Sequence, residues 1–309
     1  MRILIVSKTG DLVDFAKQLL SEGHEVIMYF KKKQLPNKLD IPFTKNPTSE
    51  MMKSELIIIE DDTSGEFADK VRSLNRPVIG GGTVVDKLWK NQEFRKSIIE
   101  GCNLDLAKPT TKGIRLEIGG WFNGEEFLKP SFFCFPYFHL GTGDVGPLTR
   151  GMGSVGFYKI KSRFNEYLKK LETFFHSSTN YTGYIGLDCF VNNDSLQVID
   201  LQAGLHFPMI LNIGFLHNTL GTFLFKLALK NAKMVAVQPD RFCISVITYE
   251  LDKPEIFTSY YSLGGTIEEA KTKVYKMLRK DIPEASYYRI DIGDEINDSL
   301  NQLEKRGWF

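Results

Sequence analysis

Apolar runs and helical stripes alternate along residues 1–85. The continuous apolar run at 3–6 is typical of a strand buried on both faces. An amphipathic stripe follows, with Asp11 as its predicted cap and Gly23 as its predicted end: Leu12, Phe15, Ala16, Leu19 and Leu20. Strand and helix patterns then alternate as far as the glycines at 80–82. This alternation predicts a parallel sheet with crossover helices, and therefore a Rossmann-like domain over 1–85.

The pattern changes after a helix that is predicted over 84–100. Aromatic residues crowd the segment 112–138, which predicts antiparallel strands, and a glycine-rich loop is predicted over 141–156. The elements predicted next are a helix at 162–175, strands at 184–191 and 196–201 around the turn Asn192-Asn193-Asp194, and a long helix at 208–229. A strand, a helix and a strand are predicted last, at 242–249, 267–280 and 287–292.

These patterns predict an α/β protein with three domains. The Rossmann-like domain at 1–85 precedes a core at 86–235, whose first element is a linker helix at 86–100. A small α+β domain is predicted over 236–309.

Composition narrows the choice of partners and location. Lys and Arg number 39 against 38 Asp and Glu, so no global basic field would attract nucleic acid or an anionic membrane. The run Lys31-Lys32-Lys33 is predicted to be a solvated loop. Four scattered cysteines and no expected secretory leader predict reduced thiols in a cytoplasmic protein. Polar residues interrupt the stretch at 208–229, which predicts a buried helix rather than a membrane span.

One glycine motif resembles a nucleotide-binding fingerprint without its structural context. Gly141, Gly143 and Gly146 have the G-x-G-x-x-G spacing, but Pro147 follows at once. The fingerprint needs a helix to begin at that loop, so nicotinamide binding is rejected. The five histidines share no spacing suited to a metal site.

The predicted hairpin carries candidate metal ligands. Asp200 and Gln202 are two residues apart on its second strand, so their side chains share a face. Antiparallel pairing can bring Asp188 of the first strand onto that face. Two carboxylates and an amide oxygen suit Mg²⁺, which prefers oxygen ligands. The alternative is a pair of solvated acids on an exposed sheet face.

Four segments carry a resemblance to a known family. The hairpin Gly186-Leu-Asp188-Cys-Phe with Val198-Ile-Asp200-Leu-Gln202 resembles the magnesium-binding hairpin of the ATP-grasp ligases. Three others are similar to segments of the phosphoribosylamine–glycine ligase (glycinamide ribonucleotide synthetase) family, which belongs to purine biosynthesis: 122–127, 143–153 and 288–293.

The resemblance implies a fold and a set of sites. It implies a Rossmann-like domain before an ATP-grasp core, with ATP and Mg²⁺ as cofactors. Asp188, Asp200 and Gln202 would hold the metal, and Glu125 with Asp188 would contact the nucleotide. A small amino acid or a phosphorylated ligand would lie against a further set of residues: Asp144, Thr149, Gly151, Met152, Gly153, Arg289 and Asp291.

The sequence departs from the family on the nucleotide side, so the expected core is a truncated one. Only the segment 112–123 separates Thr111 from Gly124, where the family has a small subdomain that clamps the phosphates. Twelve residues span at most about 40 Å as one strand and cannot fold into a subdomain. Lys112 and Arg115 offer charge there, but no glycine-rich loop precedes them. Three pairs of residues differ from the family pattern. Gly119-Gly120 replaces two glutamates, and Asp200 and Gln202 replace a Glu and an Asn. Leu148 and Arg150 replace an Asn and a Gly.

Two functions therefore stand side by side. The first is an ATP- and Mg²⁺-dependent carboxylate–amine ligase that acts on a small amino acid and a phosphorylated amine. The second is a non-catalytic relative that binds a phosphorylated small molecule or a partner protein. A scaffold with an unrelated surface function is a third alternative.

Overall fold

A computed structural model describes residues 1–8, 10, 12–31, 40–60, 64–205, 211–238, 241–250, 253–282 and 286–309. Some sequence-based predictions fall outside these ranges. They concern the cap Asp11, the lysines at 32 and 33, and the first residues of the helix predicted over 208–229.

The first sheet is parallel and four-stranded. Its strands are β1 (Arg2–Ser7), β2 (Glu25–Phe30), β3 (Leu56–Ile59) and β4 (Val78–Ile79), in the order β2-β1-β3-β4. The helices α1 (Val13–Ser21), α2 (Pro47–Met51) and α3 (Gly65–Ser73) connect them. All three strand pairs are parallel, so the predicted parallel sheet is confirmed.

Two helices stand where one was predicted over 84–100. They are α4 (Thr83–Lys90) and α5 (Gln92–Gly101), and Asn91 between them has φ −125° and ψ 101°. The Asn91 side chain accepts a hydrogen bond from the Phe94 amide and so caps α5. Because Asn competes with helical backbone bonds and favours caps, it ends one helix and begins the next. The prediction of a continuous helix is wrong at this point.

The second sheet is antiparallel and eight-stranded. It contains β5 (Ile114–Phe122), β6 (Ser131–Gly141), β7 (Val145–Lys159), β8 (Gly183–Val191), β9 (Leu196–Ala203), β10 (Phe242–Glu250), β11 (Lys253–Gly264) and β12 (Ser286–Tyr287). The order is β11-β10-β7-β6-β5-β8-β9, with β12 beside β10. The sheet continues across residue 235, where the second and third domains were expected to meet. That division stays a prediction.

The helices of this part are α6 (Asn165–Ser178), α7 (Leu211–Phe215), α8 (Leu220–Ala228), α9 (Ile267–Asp281) and α10 (Ile296–Lys305). The single long helix predicted over 208–229 is therefore wrong, since a turn separates α7 from α8. Asn218 in that turn has φ +65°, and Glu22 caps α8 by accepting hydrogen bonds from the amides of Leu220 and Gly221 at 3.1 and 2.9 Å. No helix in the described ranges is long and apolar enough to cross a membrane.

Most of the segment 141–156 is strand and not the predicted glycine-rich loop, since β7 begins at Val145 after a turn at 142–144. β6 and β7 form a hairpin whose β7 arm runs through Gly153 and Gly156. At Gly156 a Cβ atom would lie 2.6 Å from Leu211 Cδ1 and 2.7 Å from Phe132 Cζ. These glycines therefore let neighbouring side chains pack onto a strand, which the sequence pattern alone did not reveal.

The strand predicted over 287–292 is also wrong, because β12 ends at Tyr287 and the chain then turns to bury Arg289.

The two faces of the second sheet pack against different partners. One face contributes Trp121, Phe132, Tyr158 and Tyr184 to a core shared with the first sheet, α7 and α8. The opposite face packs against α6, α9 and α10. Polar side chains on the first of these faces therefore lie near the seam between the two sheets.

We expect Gly153→Ala to destabilise the protein more than Gly23→Ala. Gly23 and Gly153 have φ +80° and +155°, and only at Gly153 would a Cβ atom overlap backbone, at 2.5 Å from Ser245 O. The unfavourable φ costs roughly 1–2 kcal/mol at either site, and forced overlap adds roughly 1–3 kcal/mol at Gly153. Urea denaturation measures both losses. Equal losses would contradict the packing role of Gly153.

Candidate functional site

Three carboxylates face one another across neighbouring strands of the second sheet. Glu117 on β5 is paired with Asp188 on β8, and Asp188 is paired with Asp200 on β9. A β-bulge after Asp188 shifts the register, so that Asp200 and not Ile199 lies opposite it. Directly opposed residues share a face of the sheet. The predicted proximity of Asp188 and Asp200 is therefore observed, and Glu117 extends the row. We call these three residues the carboxylate row.

Arginine side chains hold two members of the carboxylate row. Arg115 donates two hydrogen bonds to Asp188, from Nη2 to Oδ2 at 2.6 Å and from Nε to Oδ1 at 3.2 Å. Its guanidinium also lies 5.1 Å from the centre of the Phe138 ring. On α5, Arg95 places Nε 2.7 Å from Asp200 Oδ1, an ion pair without hydrogen-bond geometry. Tyr184 donates its hydroxyl proton to Glu117 at 2.8 Å.

Burial and charge act in opposite directions on these groups. Burial raises the pKa of Asp188, the hydrogen bonds and charge of Arg115 oppose that shift, and Glu117 and Asp200 add to it. Burial alone would lower the pKa of Arg115, but Asp188 outweighs it and the pKa is raised. The pKa of Tyr184 is raised well above its usual value, first by burial and then by Glu117. The arginines therefore make it possible to bury charged carboxylates here.

As placed, these residues do not fit a magnesium ion. Both oxygens of Asp188 are held by Arg115, and Asp200 Oδ1 also accepts the Leu201 amide at 3.0 Å. Gln202 lies opposite Gly186, two pairs further along the hairpin. Within the described residues, no three Asp, Glu, His or Cys side chains form a group that could hold a metal. Asp188, Asp200 and Gln202 as magnesium ligands stay a prediction that this arrangement does not support.

The side that was predicted to hold a nucleotide consists of one strand. Residues 114–122 are all in β5, so the segment that separates Thr111 from Gly124 builds no subdomain, as its length predicted. Glu125, a predicted nucleotide contact, is exposed in the turn after β5. From Glu117, opposite Asp188, the strand continues for roughly 17 Å to Phe122 before that turn begins. The structure therefore does not bring Glu125 and Asp188 together.

A second ion cluster joins the tip of the β6–β7 hairpin to the segment after β12. Arg289 is 1% exposed and donates to Asp144 Oδ1 at 2.5 Å and to Asp291 Oδ1 at 2.8 Å. Asp291 also accepts the Gly143 amide at 2.9 Å. Although burial favours its neutral form, the pKa of Asp291 is lowered because Arg289 and the Gly143 amide stabilise the carboxylate. The predicted residues Asp144, Arg289 and Asp291 are thus brought together, and they brace each other.

The remaining predicted substrate residues are held by contacts within the protein. Thr149 donates its hydroxyl proton to Phe138 O at 2.8 Å and accepts the Gly151 amide at 3.1 Å. Gly151 O accepts the Tyr249 hydroxyl at 2.7 Å, and Met152 is fully buried. Their role in binding a substrate stays a prediction.

Arg95 and Glu117 were missed in the sequence. Glu117 alternates with Arg115 along β5, a period-two signal that places both on one face. That signal gives no register against β8, so it could not identify Asp188 as their neighbour. Nothing in the local sequence of α5 marks Arg95 as the partner of Asp200.

Comparisons with known proteins show the fold. No protein-family model matches the sequence, and no curated protein matches it either. Among solved structures, the chain is similar to phosphoribosylamine–glycine ligase from Thermotoga maritima, with 17% identity and a TM-score of 0.70, over 94% of this chain and 100% of that one. L-amino acid ligase from Bacillus licheniformis is matched at 11% identity and a TM-score of 0.57, over 90% and 97% of the two chains.

Urea carboxylase from Kluyveromyces lactis is a third similar structure, at 12% identity and a TM-score of 0.63. The match covers 97% of this chain but 32% of the carboxylase. At these identities the likeness concerns the fold alone. The chain thus has a mixed α/β fold similar to that of ATP-grasp proteins.

Proposed function

We propose that this protein is a non-catalytic relative of the ATP-grasp ligases, which binds a small phosphorylated molecule and carries out no metal-dependent ligation. The observation that supports the proposal is the pairing of Arg115 with Asp188 and of Arg95 with Asp200. The resemblance implies that those two carboxylates are Mg²⁺ ligands, whereas here two guanidinium groups neutralise them.

The negative charges of the carboxylate row disfavour the binding of a nucleoside triphosphate. Phosphoryl transfer requires surplus positive charge around the transferred group. Three carboxylates and two arginines together carry net negative charge instead. For a metal to reach Asp188, the two hydrogen bonds of Arg115 must break, and hydrogen bonds between charged groups contribute about 1.5–3 kcal/mol each.

The single strand β5 within the segment 112–123 also supports weak nucleotide binding. A clamp would surround the phosphates with a lysine and backbone donors, whereas β5 pairs its backbone with β6 and β8. Losing two or three such charge-assisted bonds weakens nucleotide affinity by about a hundredfold or more.

The second candidate is an ATP- and Mg²⁺-dependent carboxylate–amine ligase that acts on a small amino acid and a phosphorylated amine. It is favoured by the likeness to phosphoribosylamine–glycine ligase over 94% of the chain and by the acidic residues at both predicted metal positions. In that case Arg115 and Arg95 would have to leave their carboxylates, and the residues around Asp144 and Arg289 would face the acceptor.

Nucleotide binding separates the two candidates. We expect Mg-ATP to bind in the millimolar range or more weakly, and phosphoribosylamine with glycine to give no product. Isothermal titration calorimetry and a ligase assay on the full chain measure these quantities. Micromolar binding with turnover would establish the ligase and end the proposal.

A double variant tests whether the arginines replace the metal. In Arg95→Gln with Arg115→Gln, the carboxylate row keeps its charges and loses its cations, so we expect Mn²⁺ to bind at least tenfold more tightly than to the unaltered protein. Electron paramagnetic resonance of free Mn²⁺ measures this affinity. Arg241→Gln serves as the control, since Arg241 bonds only the Gln238 side chain among the described residues. Unchanged Mn²⁺ affinity would contradict the role assigned to the arginines.

Arg115→Gln alone should lower stability in a pH-dependent manner. Without Arg115 the pKa of Asp188 rises further, and a carboxyl group with a raised folded-state pKa favours folding only at pH values where it is protonated. The loss should therefore grow as pH rises through that pKa. We expect about 1–3 kcal/mol at pH 7 and less at pH 5, with water around the partly exposed Arg115 limiting the loss.

Urea denaturation at the two pH values measures the effect. Adding Asp188→Asn to Arg115→Gln removes the titrating group, so the double variant should lose the pH dependence. A single variant that is equally destabilised at pH 5 and pH 7 would count against the buried charge as the cause.

A further inference from the structure

A cavity of about 740 Å³ lies at the seam between the two sheets, apart from the carboxylate row. One wall comes from α3, β4 and the start of α4, and the other from the ends of α6 and α8 and the segment before β8. We propose that this cavity binds a phosphorylated polyol such as a sugar phosphate. The inference rests on the proposed function, because it names the site of the phosphorylated molecule.

Hydrogen bonds across the seam hold the two walls together. The Gly80 amide donates to Thr182 O at 2.8 Å, and the Thr182 hydroxyl donates to Val78 O at 2.7 Å. Both Val78 and Thr182 line the cavity. The cavity is therefore a built feature of the fold, with its walls fixed in relation to each other.

Two arginines supply positive charge from the first wall. Arg72 donates to Gly80 O at 2.6 Å and to Gly81 O at 3.1 Å, and Arg76 donates to Ser54 O at 2.6 Å. These bonds to carbonyl groups fix the guanidinium groups, and Arg72 also donates from Nη1 to Asp69 Oδ1 at 3.3 Å. Each arginine also buries an Nε–H group that has no acceptor within the described residues. The first wall thus carries two guanidinium groups that the backbone holds in place.

Lys230 and His176 are two further groups at the second wall, and both contact Gly124 in the turn after β5. A Cβ atom on Gly124 would lie 2.8 Å from Lys230 Cε, so the glycine makes room for the lysine chain. Gly124 O lies 3.0 Å from His176 Nδ1, and since a carbonyl only accepts, Nδ1 carries the proton. Nε2 is then the nitrogen that remains for a ligand. No carboxylate pairs with Lys230 in the described part of the chain.

Positive charge prevails in the cavity. Arg72, Arg76 and Lys230 outnumber Asp69, whose carboxylate already caps α4 by accepting the amide and hydroxyl of Thr83 at 3.0 and 2.7 Å. The ends of α3, α6 and α8 add negative charge and the start of α4 adds positive charge, each roughly half a unit. The balance stays positive by about one charge. The cavity therefore favours an anion.

The rest of the lining indicates what the anion is attached to. Hydroxyl and amide groups are frequent in it: Ser73, Asn75, Ser177, Ser178, Thr179 and Asn180. The aromatic residue of the lining, Tyr181, is 1% exposed and donates its hydroxyl to Tyr184 O, so it presents no stacking surface. A polar body with several hydroxyl groups suits this lining better than a base or an acyl chain. The volume is also within the range of small-molecule sites.

Calorimetry with ribose 5-phosphate and with ribose tests the inference on the full chain. We expect ribose 5-phosphate to bind with an affinity that falls with added salt, and ribose to show no binding. Lys230→Gln removes the charge and keeps a polar side chain, so affinity should fall roughly three- to tenfold. Lys226→Gln is the matched control, because Lys226 is exposed on α8 and does not line the cavity.

The outcomes distinguish this inference from the proposed function. Ribose 5-phosphate binding that is the same in Lys230→Gln and in the unaltered protein would place the ligand elsewhere and overturn the inference, while the proposed function would stand. Equal binding of ribose and ribose 5-phosphate would overturn the anion assignment. Turnover of Mg-ATP would end the proposed function and leave the cavity measurement unaffected.

Discussion

The second sheet is apolar on both faces, and the rest of the fold depends on covering them. One face is covered by α6, α9 and α10, and the other by the first sheet with α7 and α8. Large aromatic side chains such as Trp121 and Tyr158 are fully buried in the second of these layers. Covering the sheet in this way forms a seam, and both the carboxylate row and the cavity lie along it.

Buried charge in this protein is stabilised by ion pairs and not by solvent. The buried Asp188 has Arg115 beside it, and the buried Arg289 has Asp144 and Asp291. Removing one partner of such a pair leaves a charge that the surrounding apolar layer cannot stabilise. The same pairs bring together elements that are far apart in the chain, so they contribute to the geometry of the fold as well as to its charge balance.

The sequence predicted those helices, strands and turns that depend on the local pattern of apolar and polar residues. Alternating apolar and helical stripes predicted the parallel sheet, and the turn at 192–194 predicted the hairpin that aligns Asp188 with Asp200. The pattern failed at Gly153 and Gly156, because the extended path of β7 depends on the side chains of neighbouring strands. It also failed to give Arg95 and Lys230 their neighbours, since register and helix docking decide which distant residues meet. The cavity, built from several separate segments, has no counterpart in any single stretch of sequence.

The capping of α8 by Glu22 has a consequence for how the molecule opens. Glu22 lies in the part of the chain that forms the first sheet, which we call the first unit, and α8 lies in the part that forms the second sheet, the second unit. The Glu22 carboxylate is 4% exposed and accepts hydrogen bonds from two amides at the start of α8. At Gly221 a Cβ atom would lie 2.2 Å from His24 Nε2, so the two units fit too closely there for any larger residue. Separating the units leaves those helix amides without their acceptor. Hydrogen exchange at Leu220 and Gly221 therefore reports directly on the opening of the seam, and the two sheets should unfold as one cooperative unit.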